Sequence, residues 1–369
     1  MIPLNKDNDD TCTICTCSTE ETDDRERIDS YMATMKEIAQ LAGVSRGTVD
    51  RVLNNRGGVN AQTEAKVREV IKAMDYKPNL AGITLAAQKK KLQLGVILFS
   101  GNPFFHKVLE GIQSKESELA GYGCSVTVMQ ITFSLEAQLS AIDQLVQDGV
   151  HGIALAPYND NKVREKIDWL YEQGIPVVTF NTDIEHSKRI AYVGSNYYQA
   201  GQAAAGLMHL MSCHTDTQVG IILGDQNILC HAERVNGFRS RLEETYQDLH
   251  LVSLVENHDD EIESYEQTTL LLQTHPEINA LYFAAAGVYG GCRAVHALGR
   301  KDMTIIAHDR VDATRELVLN GTIAATICQQ PHMQGSRPLT ILFNYLTAGE
   351  LPEKELHHVA IDIRIRETI

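Results

Sequence analysis

From residue 92 onward, short β-branched runs alternate with helix-length segments, and this alternation limits the possible folds more tightly than any other property of the chain. LQLGVILFS (92–100), CSVTVMQIT (124–132), GIALAP (152–157) and PVVTFN (176–181) have the length and branching of strands. The segments around 105–120, 136–148 and 161–173 read as the helices between them. The same order resumes with VGIILG, LHLVSLV, ALYFAAA, MTIIAHD and AATICQ. A strand that returns parallel to its own sheet needs a crossover helix, so the pattern predicts parallel sheets with helices on both faces. Residues 93–369 are long enough for two such lobes. Lobe 1 is expected at about 93–193 plus part of 312–345, and lobe 2 at about 194–311 plus the C-terminal segment.

The residues ahead of this region differ in charge as well as in pattern. The formal net charge of −15 argues at first against a polyanionic partner. The charge is unevenly spread, however. Residues 1–31 carry three basic and nine acidic side chains, residues 32–92 eleven and five, and residues 93–369 nineteen and thirty-four. Only 32–92 is basic, so a nucleic-acid contact has to lie there. Residues 1–31 lack apolar periodicity and are rich in Asp, Glu and Thr, which predicts a disordered acidic extension. Met32 and Met35 are alternative starts that would make it a misassigned extension. Within it, Cys12, Cys15 and Cys17 form an incomplete zinc set, with no fourth Cys or His nearby.

MKEIAQLAGVSRGTVDRVL (35–53) carries a helical apolar pattern at Ile38, Leu41 and Ala42, a break at Gly43, and a second pattern at Val49, Val52 and Leu53. Gly43 suits a turn that requires positive φ, and Ser45 stands where an N-cap satisfies a free first-turn amide. Two short helices joined by such a turn define a helix-turn-helix, expected over 32–77. A third helix follows Asn60, with Val67, Val70, Ile71 and Met74 inward, and ends before Pro78. The second helix of this motif enters the major groove, N-terminal residues first. Those positions are Arg46, Gly47 and Thr48, with Arg51 one turn on. Arg reads guanine O6 and N7 bidentately, while Ser45, Thr48 and Asn54 suit phosphates.

This stretch strongly resembles the DNA-binding head of the lactose-repressor (LacI) family. The matching residues are Ile38-Ala39, Ala42-Gly43-Val44-Ser45, Thr48-Val49, Arg51-Val52, Asn54, Val59, Thr63, Val67 and Tyr76-Lys77-Pro78-Asn79. The resemblance extends through a linker at 78–92 and both lobes. It implies base-reading positions at Arg46, Gly47 and Arg51, and a hinge helix from Asn79 to Ala87 that inserts Leu85 into the minor groove. Asn60, Thr63, Asn79 and Gly82 complete the expected DNA-contact set. Two residues depart from the family. Gly47 removes a base-reading side chain, and Asp50 would repel phosphate unless it pairs with Arg46 or Arg51. Gly82 also weakens the hinge helix by up to ~1 kcal/mol relative to Ala, as suits a hinge that folds only on DNA.

Ligands of doubly wound sheets bind beyond the carboxyl ends of the strands. There the chain offers NPFF (102–105), Asn181, an Arg in AERVNGF (232–238), His308-Asp309 and TICQ (326–329). Aromatic faces with Asp, Asn, Arg and Gln suit a polyhydroxylated ligand in a closed cleft. The pattern is similar to ribose-type periplasmic sugar-binding proteins, and the resemblance implies ligand residues Asn102, Phe104, Phe105, Asn181, Arg234, Asp309 and Gln329. Asn181-Thr182 stands where the family has Asp-Arg, and Ala284-Ala285 where it has Asn-Asp, which points to a polyol or modified sugar instead of ribose.

The expected fold class is therefore α/β: a two-lobed periplasmic-binding-protein-like sensor with two doubly wound parallel sheets, preceded by an all-α helix-turn-helix head. The expected function is a homodimeric, cytoplasmic regulator, a repressor, on a near-palindromic double-stranded operator, controlled by a sugar or polyol between the lobes. A solute-binding protein of a sugar transport system shares the lobes, but would need a signal peptide and no DNA head. An enzyme would need a catalytic set, and GxSxG, Walker and HExxH motifs are all missing. No cofactor or metal is implied, and His308 is expected to support the ligand. No apolar run approaches the ~18 residues that span a bilayer. Cys124, Cys213, Cys230, Cys292 and Cys328 sit among small or apolar residues and are expected as buried thiols.

Overall fold

The structure is a computed structural model that describes residues 35–53, 59–74, 87–212, 216–226, 228–301 and 303–369, with Asp50 and Leu53 described only in their backbone. The expected acidic extension, Asn54, Asn79, Gly82, Leu85 and Cys213 lie outside these residues.

The head has three helices: α1 (Met35–Ala42), α2 (Arg46–Leu53) and α3 (Ala61–Ala73). Gly43 closes the turn at φ 65°, a conformation that strains any residue with a Cβ. The Ser45 hydroxyl accepts from the Thr48 amide at 3.1 Å and caps α2. Asn60 caps α3 in the same way, its Oδ1 accepting from Thr63 N at 2.7 Å. Ile38, Ala39, Ala42, Val49, Val52 and Val67 form the core, flanked by Val70, Ile71 and Met74. Leu41 is 61% exposed, against expectation. In an eight-residue helix the inward stripe is Ile38, Ala39 and Ala42, and Leu41 falls just off it.

Two six-stranded sheets follow. The first contains β1 (Gln93–Phe99), β2 (Ser125–Ile131), β3 (Gly152–Leu155), β4 (Val177–Phe180), β5 (Ala191–Gly194) and β11 (Leu356–His358), in the order β11-β5-β4-β3-β1-β2. The second contains β6 (Thr217–Leu223), β7 (Leu249–Glu256), β8 (Ala280–Phe283), β9 (Thr304–His308), β10 (Ala325–Cys328) and β12 (Asp362–Arg364), in the order β12-β10-β9-β8-β6-β7. Every neighbouring pair is parallel except β10 with β12. Strands β1, β3, β4, β6, β8 and β10 are buried along nearly their whole length, as strands covered on both faces must be.

Helices α4 (Pro103–Ala120), α5 (Leu135–Gln147) and α6 (Asn161–Glu172) cover the first sheet. Helices α7 (Tyr197–Met211), α8 (Leu229–Glu244), α9 (Glu261–Thr274), α10 (Val288–Ala297) and α11 (Asp312–Leu319) cover the second. α12 (Pro331–Ala348) returns to the first lobe and packs on α4. The chain thus crosses between lobes three times, after β5, after β10 and after β11. The expected lobe boundaries need correcting at two points. β11, expected with lobe 2 as part of the C-terminal segment, pairs with β5 in lobe 1. Residues 312–330 stay with lobe 2, because β10 pairs with β9 in that sheet, and lobe 1 regains the chain only at α12. At the other end, Ala87 is buried in the lobe 1 core and Lys90 Nζ donates to Leu346 O at 2.9 Å, which anchors the linker to lobe 1.

Candidate functional site

In the head, Ser45, Arg46, Gly47 and Arg51 are exposed on α2, and Thr48 is half-buried with its hydroxyl 2.9 Å from that of Ser45. The inward residues Val49 and Val52 hold the helix on its core, so both arginines point to solvent from the opposite side. Gly47 is not forced by packing, since a Cβ there would meet only the Ser45 hydroxyl at 3.7 Å.

The second candidate site lies where strands of both lobes end. Asn181 and Asp309 directly follow β4 and β9 with φ of 62° and 66°, and such strained residues collect at functional sites. Asn102 caps α4, its Oδ1 accepting from Phe104 N at 2.9 Å. Phe104 and Phe105 are 6% and 8% exposed and belong to the lobe 1 core, so they present little more than their edges. Across the cleft, Gln329 donates to both Asp309 carboxylate oxygens, at 3.0 and 3.1 Å. Buried Gln334 in turn donates to the Gln329 carbonyl at 2.6 Å and fixes its backbone.

Arg234 is only 4% exposed. It donates from Nη1 to the Ala284 carbonyl at 2.7 Å and stacks 5.1 Å from the centre of the Tyr197 ring. Its Nε has no protein partner among the described residues. A buried donor left unpaired is costly and calls for an acceptor. Burial works against the guanidinium charge, but Asp309 with Cys230 and nearby tyrosines outweighs it and raises the Arg234 pKa. Burial also raises the Asp309 carboxyl.

His308 is buried, and burial followed by the Arg234 charge holds its imidazole far below the ordinary value. It is therefore neutral at pH 7 and pairs with the Tyr282 hydroxyl at 2.7 Å. That is a supporting position behind Asp309.

Sequence reasoning missed three polar residues that the fold brings to this cleft. Tyr197, at the start of α7 in lobe 2, donates its hydroxyl to the Asn181 carbonyl of lobe 1. His231 accepts the Asp225 amide on Nδ1 at 3.2 Å, which leaves Nε2–H facing the Asp259 carboxylate at 3.9 Å. Asp259 itself accepts from Ala286 N at 2.9 Å and so buttresses the loop that carries Ala284-Ala285. A separate cavity of about 190 Å³ lies at the hinge between Asp183, Tyr192, Tyr197, Cys230 and His358. That is smaller than the ~300 Å³ at which ligand pockets begin.

A model of the periplasmic binding protein domain matches residues 96–351, and a model of bacterial regulatory proteins of the lacI family matches residues 34–79. The chain belongs to the lacI family, with a periplasmic binding protein domain as its sensor. The ribose operon repressor of Halalkalibacterium halodurans is 26% identical, over 78% of this chain and 83% of its own length. The repressor PurR of Haemophilus influenzae is also 26% identical, over 86% and 92%. Among solved structures, GanP, a glucose-galactose binding protein from Geobacillus stearothermophilus, shares the fold. Its TM-score is 0.69 at 24% identity, covering 75% of this chain and 98% of that one.

This lacI-family chain is thus a DNA-binding transcriptional regulator controlled through its sensor domain. Among the described residues no group of three His, Cys, Asp or Glu side chains is gathered as a metal site. Cys124, Cys230, Cys292 and Cys328 are buried free thiols, and no described helix is long and apolar enough to cross a membrane.

Proposed function

We propose that this regulator is a cytoplasmic repressor that binds a near-palindromic operator as a homodimer and answers to a sugar or polyol held between its lobes. Arg46 and Arg51 read bases, Ser45, Thr48, Asn54, Asn60 and Thr63 fix the head on phosphates, and Asn79, Gly82 and Leu85 belong to a hinge that orders on DNA. Asn102, Phe104, Phe105, Asn181, Arg234, Asp309 and Gln329 hold the effector. The protein acts by binding and not by catalysis.

The observation that carries the effector assignment is the lobe 2 wall. Arg234 presents an unpaired buried Nε–H beside a carboxylate that is already anchored by Gln329. A hydroxyl both accepts and donates, so a single polyol group satisfies the guanidinium and the carboxylate together. Lobe closure on such a ligand shifts the regulator's equilibrium only by the ligand's differential affinity for its two states. One related protein is the repressor of a ribose operon, and a fold neighbour is a glucose-galactose binding protein, which supports a sugar as the ligand. A gel shift on the region upstream of the protein's own operon, with and without a panel of sugars and polyols, tests the reading. The expected result is a specific complex whose stability changes with one class of sugar. Lack of any specific complex would overturn it.

A further inference from the structure

We infer that the effector carries a second sugar ring, seated on Phe133 and Tyr158 at the mouth of the cleft, so that the ligand class is a disaccharide. This deepens the proposed sugar reading and rests on it. Phe133 follows β2 and Tyr158 follows β3, so both lie at the carboxyl ends of lobe 1 strands, where this fold takes its ligands. Their rings are 4.9 Å apart, and Phe133 stacks edge-on against Phe99 at 4.7 Å. Phe99 in turn meets Phe105 at 6.2 Å, and Phe105 meets Phe104 at 5.5 Å. The aromatic wall is therefore continuous from the expected ligand phenylalanines outward.

Exposure differs sharply along that wall. Phe104 and Phe105 are core residues, whereas Phe133 is 49% exposed and Tyr158 half-buried. The free stacking surface is on the outer pair.

The platform is also built. Gln138, fully buried, uses both ends of its amide on the Tyr158 loop: it donates to Ala156 O at 2.8 Å and accepts from Tyr158 N at 2.6 Å. The Ser100 amide and hydroxyl both donate to Ile131 O, at 2.8 and 3.1 Å, and fix the exit of β2 just before Phe133. Length points the same way. Asn181 beyond β4 and Phe133 beyond β2 are three strand intervals apart in the sheet order, about 14 Å at the usual spacing. A pyranose ring spans roughly one such interval, so one ring cannot touch both ends. The hydrogen-bonding residues Asn181, Arg234 and Asp309 sit at one end and the bare aromatic faces at the other, which suits a first ring bound by its hydroxyls and a second by its C–H face.

Calorimetry on the full chain with matched probes tests this: glucose against maltose and cellobiose, and galactose against lactose and melibiose. One disaccharide is expected to bind about tenfold or more tighter than its monosaccharide, the factor that 1.4 kcal/mol represents. Phe133→Ser and Tyr158→Leu each remove that advantage and leave the monosaccharide affinity unchanged. Phe133 is 49% exposed, and Tyr158 is half-buried against the lobe 1 core, where leucine keeps the apolar contact; a circular dichroism melt verifies that both variants fold. Monosaccharide binding with no disaccharide advantage, or equal weakening of both ligands by the variants, overturns the inference and leaves the sugar reading standing. Failure of every sugar to bind overturns both.

Discussion

Removing the Tyr192 and Tyr197 hydroxyls together should cost more than the two single removals added. The Tyr192 hydroxyl, from β5 of lobe 1, donates to the Asn181 carbonyl at 2.9 Å, and the Tyr197 hydroxyl, from α7 of lobe 2, donates to the same oxygen. Both rings are buried, at 4% and 7% exposure, and burial pushes both phenols far above their ordinary pKa, so they remain donors at any working pH. Tyr192→Phe removes a hydroxyl shared between the Asn181 and Ser195 carbonyls, and Tyr197→Phe one that also accepts from Asn181 Nδ2 at 3.4 Å. Either change alone still leaves the Asn181 carbonyl with a partner, at about 1 kcal/mol each. The double change leaves that oxygen without a donor. It also loosens Asn181, whose φ is 62° and whose backbone amide then keeps only its bond to Val193 O. The added penalty is about 1 kcal/mol or more, giving a total near 3 kcal/mol. Urea denaturation of the full chain in its four forms measures the coupling, and effector calorimetry should rank them in the same order because Asn181 is a proposed ligand residue. Additivity within about 0.3 kcal/mol would refute the idea that the two lobes share one acceptor.

Arg46→Ala or Arg51→Ala should weaken operator binding by about 1–3 kcal/mol and relax sequence preference at one position, read by gel shifts on operator variants; uniform weakening across sequences would assign the residue to phosphate instead. Gly47→Ala should raise head stability by up to ~1 kcal/mol, since α2 gains helix propensity and the new methyl meets only the Ser45 hydroxyl at 3.7 Å; a lower melting temperature would show that the glycine is needed in the fold. Gly201→Ala should be strongly destabilising and weaken effector binding. A Cβ there would lie 1.9 Å from the Arg234 carbonyl and force α7 away from the helix that carries Arg234; an unchanged melt would contradict the close crossing.

The burial of Asp309 gives a pH prediction. Its carboxyl is raised in the folded protein, so its contribution to stability is fully present below the unfolded value and is lost as pH rises through the folded one. The stability of the parent relative to Asp309→Asn should therefore fall as pH rises above about 4, the ordinary carboxyl value of an unfolded chain. A constant difference would show that the carboxyl is not perturbed.

Much of the architecture was legible because parallel strands buried on both faces are locally distinctive. All nine expected strands form. The missed strands β5, β11 and β12 have four, three and three residues, and their place depends on pairings such as Leu356 with Tyr192 that no local window reveals. The same limit explains the lobe boundary, which turns on β10 pairing with β9. In the head, capping chemistry at Ser45 and the turn at Gly43 were readable from single residues. In the cleft, Tyr197, His231 and Asp259 were not, because they come from the start of α7, the first turn of α8 and the loop after β7, and only the sheet order brings them together. The outer pair Phe133 and Tyr158 carries a weak local signal, an aromatic residue shortly after each of two strands, which becomes meaningful once β2 and β3 are known to flank β1.

On the proposed function, a ligand touching Arg234 governs how the head holds DNA. Fluorescence anisotropy of a labelled operator fragment, titrated with the parent chain and with Arg234→Gln at fixed ionic strength, tests it most directly. Salt must be fixed because phosphate contacts make the affinity ionic-strength dependent. Both proteins are expected to bind the operator within about twofold of each other without effector, and effector is expected to shift the parent by about fivefold or more and the variant hardly at all. An effector response that survives Arg234→Gln unchanged, or an operator affinity lost with that substitution alone, would contradict it.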